Sequence, residues 1–181
     1  MDNRTVNYKI IDNLLLPDEL KLIQDTMLGA KFAWFYNNFV DYDPEDFESC
    51  VDYPHNFHFV HGFYGHFSPK SECLHILDPV IKKLNPAAIV RIKANLSTIS
   101  ANRIEHSFHT DRNDVHCTTA IFYVNNNNGV TIFEDGSEVP SVANRLVIFD
   151  SQLMHKGTTC TDQKLRCLIN FNYFEKLKDG K

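Results

Sequence analysis

The chain of 181 residues is long enough for one domain with a sizeable core and short for two complete ones. Its composition, 43% hydrophobic and 23% charged with only 7 glycines and 7 prolines, is that of an ordinary globular protein and excludes a disordered or low-complexity chain. A net charge of −5 argues against the basic excess behind non-specific nucleic-acid binding and favours a neutral or small partner, while remaining compatible with a local basic groove.

Residues 6–11 alternate as a short strand. Leu14-Leu-Leu-Pro17-Asp-Glu-Leu20 then opens a helix with proline in its first turn and acids beside it. Leu16, Leu20, Ile23 and Met27 form the expected buried stripe, and Gly29 ends the helix. Residues 31–40 are aromatic and extended. Residues 41–53 carry six acids around Pro44 without a steady period, the pattern of an exposed loop. His55, His58, His61 and His66 follow among aromatic rings; without a cysteine or acid at zinc-type spacing they read as a strand and loop beside a cleft, or as plain packing, rather than as a metal tract.

A second helix is expected from Ser68, with Leu74, Leu77, Val80, Ile81 and Leu84 at helical spacing before Pro86. From there the hydrophobic period becomes two. Residues 88–96, 117–124, 130–133, 145–150 and 165–174 read as strands joined by polar turns such as Asn125-Asn-Asn-Asn-Gly129 and Glu134-Asp-Gly136, so the second half is a mostly antiparallel β-unit. The fold class is α+β, mostly β: one domain over residues 1–181, with a helical and strand support region at 1–87 and a β core at 88–174.

His109-Thr-Asp111 stands out in that β region. A histidine and a carboxylate two residues apart share one face of a strand and can grip one metal ion. With His155 as third ligand the set is two imidazoles and one carboxylate, the facial triad that leaves positions open on iron(II). His106, His116 and Asp114 are rivals, but none has the same alternate-face partner in the same order. In the last strand, alternation places Arg166 with Leu168, Asn170 and Asn172 on one face, against a core face of Leu165, Cys167, Ile169, Phe171 and Tyr173. A guanidinium on an inward polar face suits a carboxylate, with Lys164 a rival cation. Lys93 and Asn95 alternate likewise along residues 89–96, reaching either the same interior or a solvated sheet face.

Five scattered cysteines, an odd number without a Cys-x-x-Cys pair, indicate neither a disulfide framework nor a zinc ribbon. The first residues lack a cationic start followed by an apolar run, and no apolar run approaches the ~18 residues of a membrane span. No membrane association and a reducing cytoplasm are therefore expected.

As an ordered set these residues resemble the Fe(II)- and 2-oxoglutarate-dependent dioxygenases, in particular the prolyl-4-hydroxylase-like branch and its small bacteriophage-encoded members. The resemblance runs over about residues 88–174, through His109-Thr-Asp111, Thr119-Ala-Ile-Phe-Tyr123-Val-Asn125, Asn128-Gly129-Val-Thr131-Ile-Phe133, Asn144-Arg-Leu-Val-Ile-Phe149, His155-Lys-Gly157 and Arg166, and the stretch Ile10 to Leu20 resembles the start of such domains. It implies a double-stranded β-helix, or jelly roll, flanked by N-terminal helices. It further implies iron(II) on His109, Asp111 and His155, with 2-oxoglutarate and dioxygen as cosubstrates and ascorbate as a candidate reductant. Arg166 takes the distal carboxylate of 2-oxoglutarate, and Lys93, Asn95, Thr131 and Asn170 are candidate cosubstrate contacts.

The family's lysine in prolyl hydroxylases is Arg166 here, its Gly-Gly is Asn128-Gly129, and its early-strand tyrosine has no clear counterpart, Lys93 or Asn95 standing near its place. The implied reaction hydroxylates a substrate carbon with release of succinate and carbon dioxide. Related halogenases lack the carboxylate that Asp111 supplies, so hydroxylation is expected. A protein or peptide side chain leads as substrate, ahead of a free amino acid or other small molecule and of a nucleobase. A jelly-roll module that binds metal without turnover is the alternative. A phage-encoded member would work in its host's cytoplasm.

Overall fold

In the computed structural model, which describes residues 7–40, 56–112 and 114–177, the period-two region forms two antiparallel sheets. The strands are β1 (Tyr8–Ile11), β2 (Phe35–Asn37), β3 (His58–Gly65), β4 (Ser68–Pro69), β5 (Ala88–Thr98), β6 (Thr118–Tyr123), β7 (Val130–Phe133), β8 (Glu138–Pro140), β9 (Leu146–Asp150), β10 (His155–Gly157) and β11 (Leu165–Phe174). The larger sheet runs β1-β9-β6-β11-β5-β3-β2, with β4 on β3, and the smaller runs β10-β7-β8. The N-terminal region thus does more than support the core, since β1 pairs with β9 and β3 extends the sheet beyond β5.

The two faces of β11 decide what lies on either side. Cys167, Ile169, Phe171 and Tyr173 join Ala120 and Phe122 of β6 and Ile92 and Ala94 of β5 in a core that receives the helices. The opposite face packs Leu168, Ile121 and Tyr123 against Phe133 and Val139 of the smaller sheet, forming a second, inter-sheet core. Burying two faces of one sheet with different partners requires strict alternation, and a slip of one residue would exchange them.

Helix α1 (Pro17–Met27) starts as expected, with Pro17 at its first turn and the Glu19 carboxylate accepting the Leu16 backbone N–H at 2.9 Å. Ile23 and Met27 are fully buried and Leu20 packs at the edge of the core, but Leu16 is 69% exposed. It precedes the first turn, and Leu14 and Leu15 fill the core instead, locked by Asn144, whose side chain bonds both Leu15 N–H and Leu15 C=O at 2.9 Å. The expected second helix is two pieces, a 3-10 segment at Glu72–Leu77 and helix α2 at Asp78–Leu84. Pro79 explains the break: it donates no N–H to the preceding turn and is tolerated where a helix begins. The acidic stretch at 41–53 lies outside the described residues.

Candidate active site

His109 and His155 meet through their backbones. Each donates its N–H to the other's carbonyl, at 2.9 and 3.0 Å, as an isolated antiparallel bridge beside β10. This pairing sets residues directly opposite one another, and the two imidazole centroids lie 4.8 Å apart. Each ring is oriented by its own loop: Nδ1 of His155 lies 2.9 Å from the Leu153 carbonyl and Nδ1 of His109 lies 3.2 Å from that of Ser107. Donation from Nδ1 leaves Nε2 of both rings with its lone pair for a metal.

Asp111 completes the group. One ligand atom from each of His109, Asp111 and His155 lies within 4.8 Å of the others. The strand expected for His109-Thr-Asp111 is absent, however. The segment leaving β5 runs beside β10 as far as His109, then bends at Asp111 to return to β6 in the larger sheet. Convergence therefore comes from that bend rather than from strand alternation.

The carboxylate is held from β11 and β5. Oδ1 accepts from the Asn170 amide at 3.1 Å and from Arg91 Nη2 at 3.3 Å, and Oδ2 accepts from the Asn172 amide at 3.3 Å. Asn172 is fully buried and also ties Arg91 Nε, at 2.9 Å, and the Thr119 hydroxyl, at 2.9 Å, into the same network. Burial opposes ionisation of Asp111, but His155, Arg91, His109 and the Asn170 hydrogen bond outweigh it and hold the carboxyl below its ordinary range. For His155 burial prevails over the pull of Asp111, so the ring titrates below its usual value and stays in the neutral form a metal requires.

The triad opens on a cavity of about 220 Å³, and Arg166 lines it too. Arg166 is 4% exposed; its Nε donates to Ser141 Oγ at 2.8 Å and its Nη2 to Thr131 Oγ1 at 3.2 Å. Among the described residues it has no carboxylate partner. Burial lowers its pKa from the ordinary value, yet a guanidinium stays charged throughout the working range of a protein. The backbone makes room for it: a Cβ on Gly129 would stand 2.6 Å from Arg166 Cδ, and one on Gly157 3.3 Å from Nη1. A cationic side chain has been enclosed with two neutral hydroxyls and an open cavity in front.

Neither a scan of protein-family models nor a search of curated proteins finds a match. Solved structures do match. A prolyl hydroxylase from Trichoplax adhaerens, in complex with a hypoxia inducible factor oxygen degradation domain peptide fragment, superposes with a TM-score of 0.64 at 14% identity over 94% of this chain and 84% of its own. An oxidoreductase of the 2OG-Fe(II) oxygenase family from Burkholderia pseudomallei gives 0.62 at 11% identity, over 94% and 86%. The epimerase SnoN, in complex with Fe3+, alpha ketoglutarate and nogalamycin RO, gives 0.62 at 10% identity, over 95% and 80%. The chain has the 2-oxoglutarate/iron(II) oxygenase fold.

Within that fold the sequence-derived residues divide by position. His109, Asp111, His155, Arg166, Lys93, Asn95, Thr131 and Asn170 all line the one cavity. Of the rivals, His106 also lines it, whereas His116 pairs with Asp150 at the surface at 2.7 Å and Asp114 pairs with Arg112. Asn170 spends its amide on Asp111, and Thr131 spends its hydroxyl oxygen on Arg166. Lys93 faces inward, and burial followed by the charge of Arg91 lowers its pKa.

Sequence reasoning did not assign Arg91, Asn172, Ser141 or Tyr123 to the site. Arg91 and Asn172 carry a signal, since Arg91 alternates with Lys93 and Asn95, and Asn172 with Arg166 and Asn170. Ser141 carried none, because it comes from a loop after β8 that no periodicity marks. Tyr123 is fully buried and donates its hydroxyl to Thr131 Oγ1 at 2.8 Å, the same oxygen that receives Arg166. Tyr123→Phe removes that donor and loosens Thr131, so 2-oxoglutarate affinity should fall about fivefold, the worth of about 1 kcal/mol for one buried hydrogen bond, with metal affinity unchanged. Calorimetric titration of both ligands checks this.

Proposed function

We propose that this protein is an Fe(II)- and 2-oxoglutarate-dependent oxygenase that hydroxylates a substrate carbon. The observation that carries the reading is the pairing, in one cavity, of an open-faced His-Asp-His triad with a buried guanidinium that has no carboxylate partner among the described residues. Two imidazoles and a carboxylate suit iron(II) with vacant positions, and the enclosed Arg166 suits the distal carboxylate of a dicarboxylic cosubstrate. The two antiparallel sheets support the double-stranded β-helix assignment, with residues 1–181 as a single oxygenase domain.

When bound, iron(II) with 2-oxoglutarate and dioxygen supplies the oxidation, one oxygen atom entering the substrate C–H bond and the other entering succinate as carbon dioxide leaves. The chain supplies placement. His109, Asp111 and His155 hold the metal, while Asn170, Asn172 and Arg91 fix the Asp111 carboxylate. Arg166 neutralises the distal carboxylate, positioned by Ser141 and Thr131. Ile121 and Leu168 give the cavity its apolar wall and limit water.

The substrate we favour is a protein or peptide side chain, consistent with the peptide held by the Trichoplax neighbour, with a free amino acid as second reading because the cavity is small and basic. No helix among the described residues is long and apolar enough to cross a membrane. The scattered cysteines, without a Cys-x-x-Cys pair, are what favour a reducing cytoplasm as the location we propose. Iron(II) plus 2-oxoglutarate without oxygen should give a weak visible charge-transfer band, and oxygen should then release succinate. Absence of both from metal-loaded protein overturns the proposal.

A further inference from the structure

The cavity holds more positive charge than the cosubstrate needs. Its described lining has three cationic side chains, Arg91, Lys93 and Arg166, against one carboxylate, Asp111. On the reading above, a divalent metal and a doubly negative cosubstrate cancel each other. Arg166 and Asp111 cancel as well, which leaves Arg91 and Lys93 in excess. Arg91 is engaged by Asp111 and Asn172. Lys93 has no ion-pair partner among the described residues.

Register shows which end of the cavity Lys93 serves. It stands opposite Asn170, whose amide holds Asp111, so it lies level with the metal ligands. Arg166 stands opposite Ser97, four residues along β5 and about 13 Å away at strand rise. A cosubstrate stretched from metal to Arg166 leaves Lys93 beside the reacting position, so the register moves Lys93 from the cosubstrate, where the family resemblance put it, to the substrate. On its other flank Lys93 pairs with Gly62 of β3, where a Cβ would meet nothing within 4 Å, so no side chain of β3 crowds Lys93 at that register position.

We propose that the substrate carries an anionic group, a carboxylate or a phosphate, next to the carbon that is oxidised, and that Lys93 holds it. The proposal rests on the oxygenase reading for the metal and the cosubstrate. An ammonium on a flexible stem is suited to a compact anion, and an overall acidic protein with a basic cavity attracts such a substrate to one place.

The test titrates acetate and inorganic phosphate into the full chain loaded with iron(II) and saturating 2-oxoglutarate without oxygen, following heat and the visible band. Wild type should bind at least one anion, and the tighter of the two names the class. Lys93→Met should weaken that binding about tenfold or more, while its 2-oxoglutarate midpoint stays within about twofold and Lys93→Arg restores most of the anion affinity. Equal anion binding by Lys93→Met, no anion binding by wild type, or loss of 2-oxoglutarate affinity matching that of an Arg166 variant overturns the proposal. Failure of the oxygenase reading looks different: no band forms, yet Lys93-dependent heat remains.

Discussion

Asp111→Ala abolishes stable iron(II) binding and lowers 2-oxoglutarate-dependent turnover by at least about a thousandfold, about 4 kcal/mol of barrier. The side chain is one of the three proposed ligands and the anionic one among them, and its loss also strands groups built around it. Asn170, Asn172 and Arg91 all donate to its oxygens and would lose that acceptor, Asn172 keeping Thr119 and Arg91 keeping Asn172. Buried donors left unsatisfied cost about 1–3 kcal/mol each, so the metal-free variant should also unfold at lower urea concentration than wild type. Asp111→Asn separates the two effects. It keeps an acceptor oxygen for the network and should restore much of the stability, while the lost charge keeps iron binding weak. Metal titration and urea denaturation of the same samples check both.

Arg166→Met reverses that pattern. Iron(II) binding stays close to wild type because no atom of Arg166 belongs to the triad, whereas 2-oxoglutarate affinity falls by about thirtyfold or more. That corresponds to the cost of about 2–5 kcal/mol for truncating one partner of a buried, hydrogen-bonded charge pair. Without cosubstrate, the variant should be at least as stable as wild type, since it removes an enclosed cation whose described partners are two hydroxyls and the face of the Tyr123 ring, with no carboxylate among them. The thermal shift produced by 2-oxoglutarate should then vanish. Arg166→Lys recovers only part of the affinity, because an ammonium lacks the fork that reaches Ser141 and Thr131 together. Equal loss of iron and cosubstrate binding in Arg166→Met would remove it from the assigned role.

These expectations draw on features that were legible to different degrees. The face of β11 could be read directly: Arg166, Leu168 and Asn170 line the cavity and Asn172 is buried behind them, while the alternate residues pack in the core. Alternation alone allows Lys93 and Asn95 either a solvated face or the interior, and the pairing of β5 with both β11 and β3 turns that face inward. The short strands β8 and β10 escaped notice because three residues carry too little alternation to register.

The residue types of the triad, the cation of the last strand and the alternation that points it inward were determined by the sequence itself. Side-chain direction in a strand is a local property with a period of two. Only the tertiary structure brought His109 opposite His155, bent Asp111 toward them and enclosed Arg166 between Ser141, Thr131 and Gly129. Such contacts join residues tens of positions apart. They depend on which strands become neighbours and where a loop must turn back, and no local period encodes either.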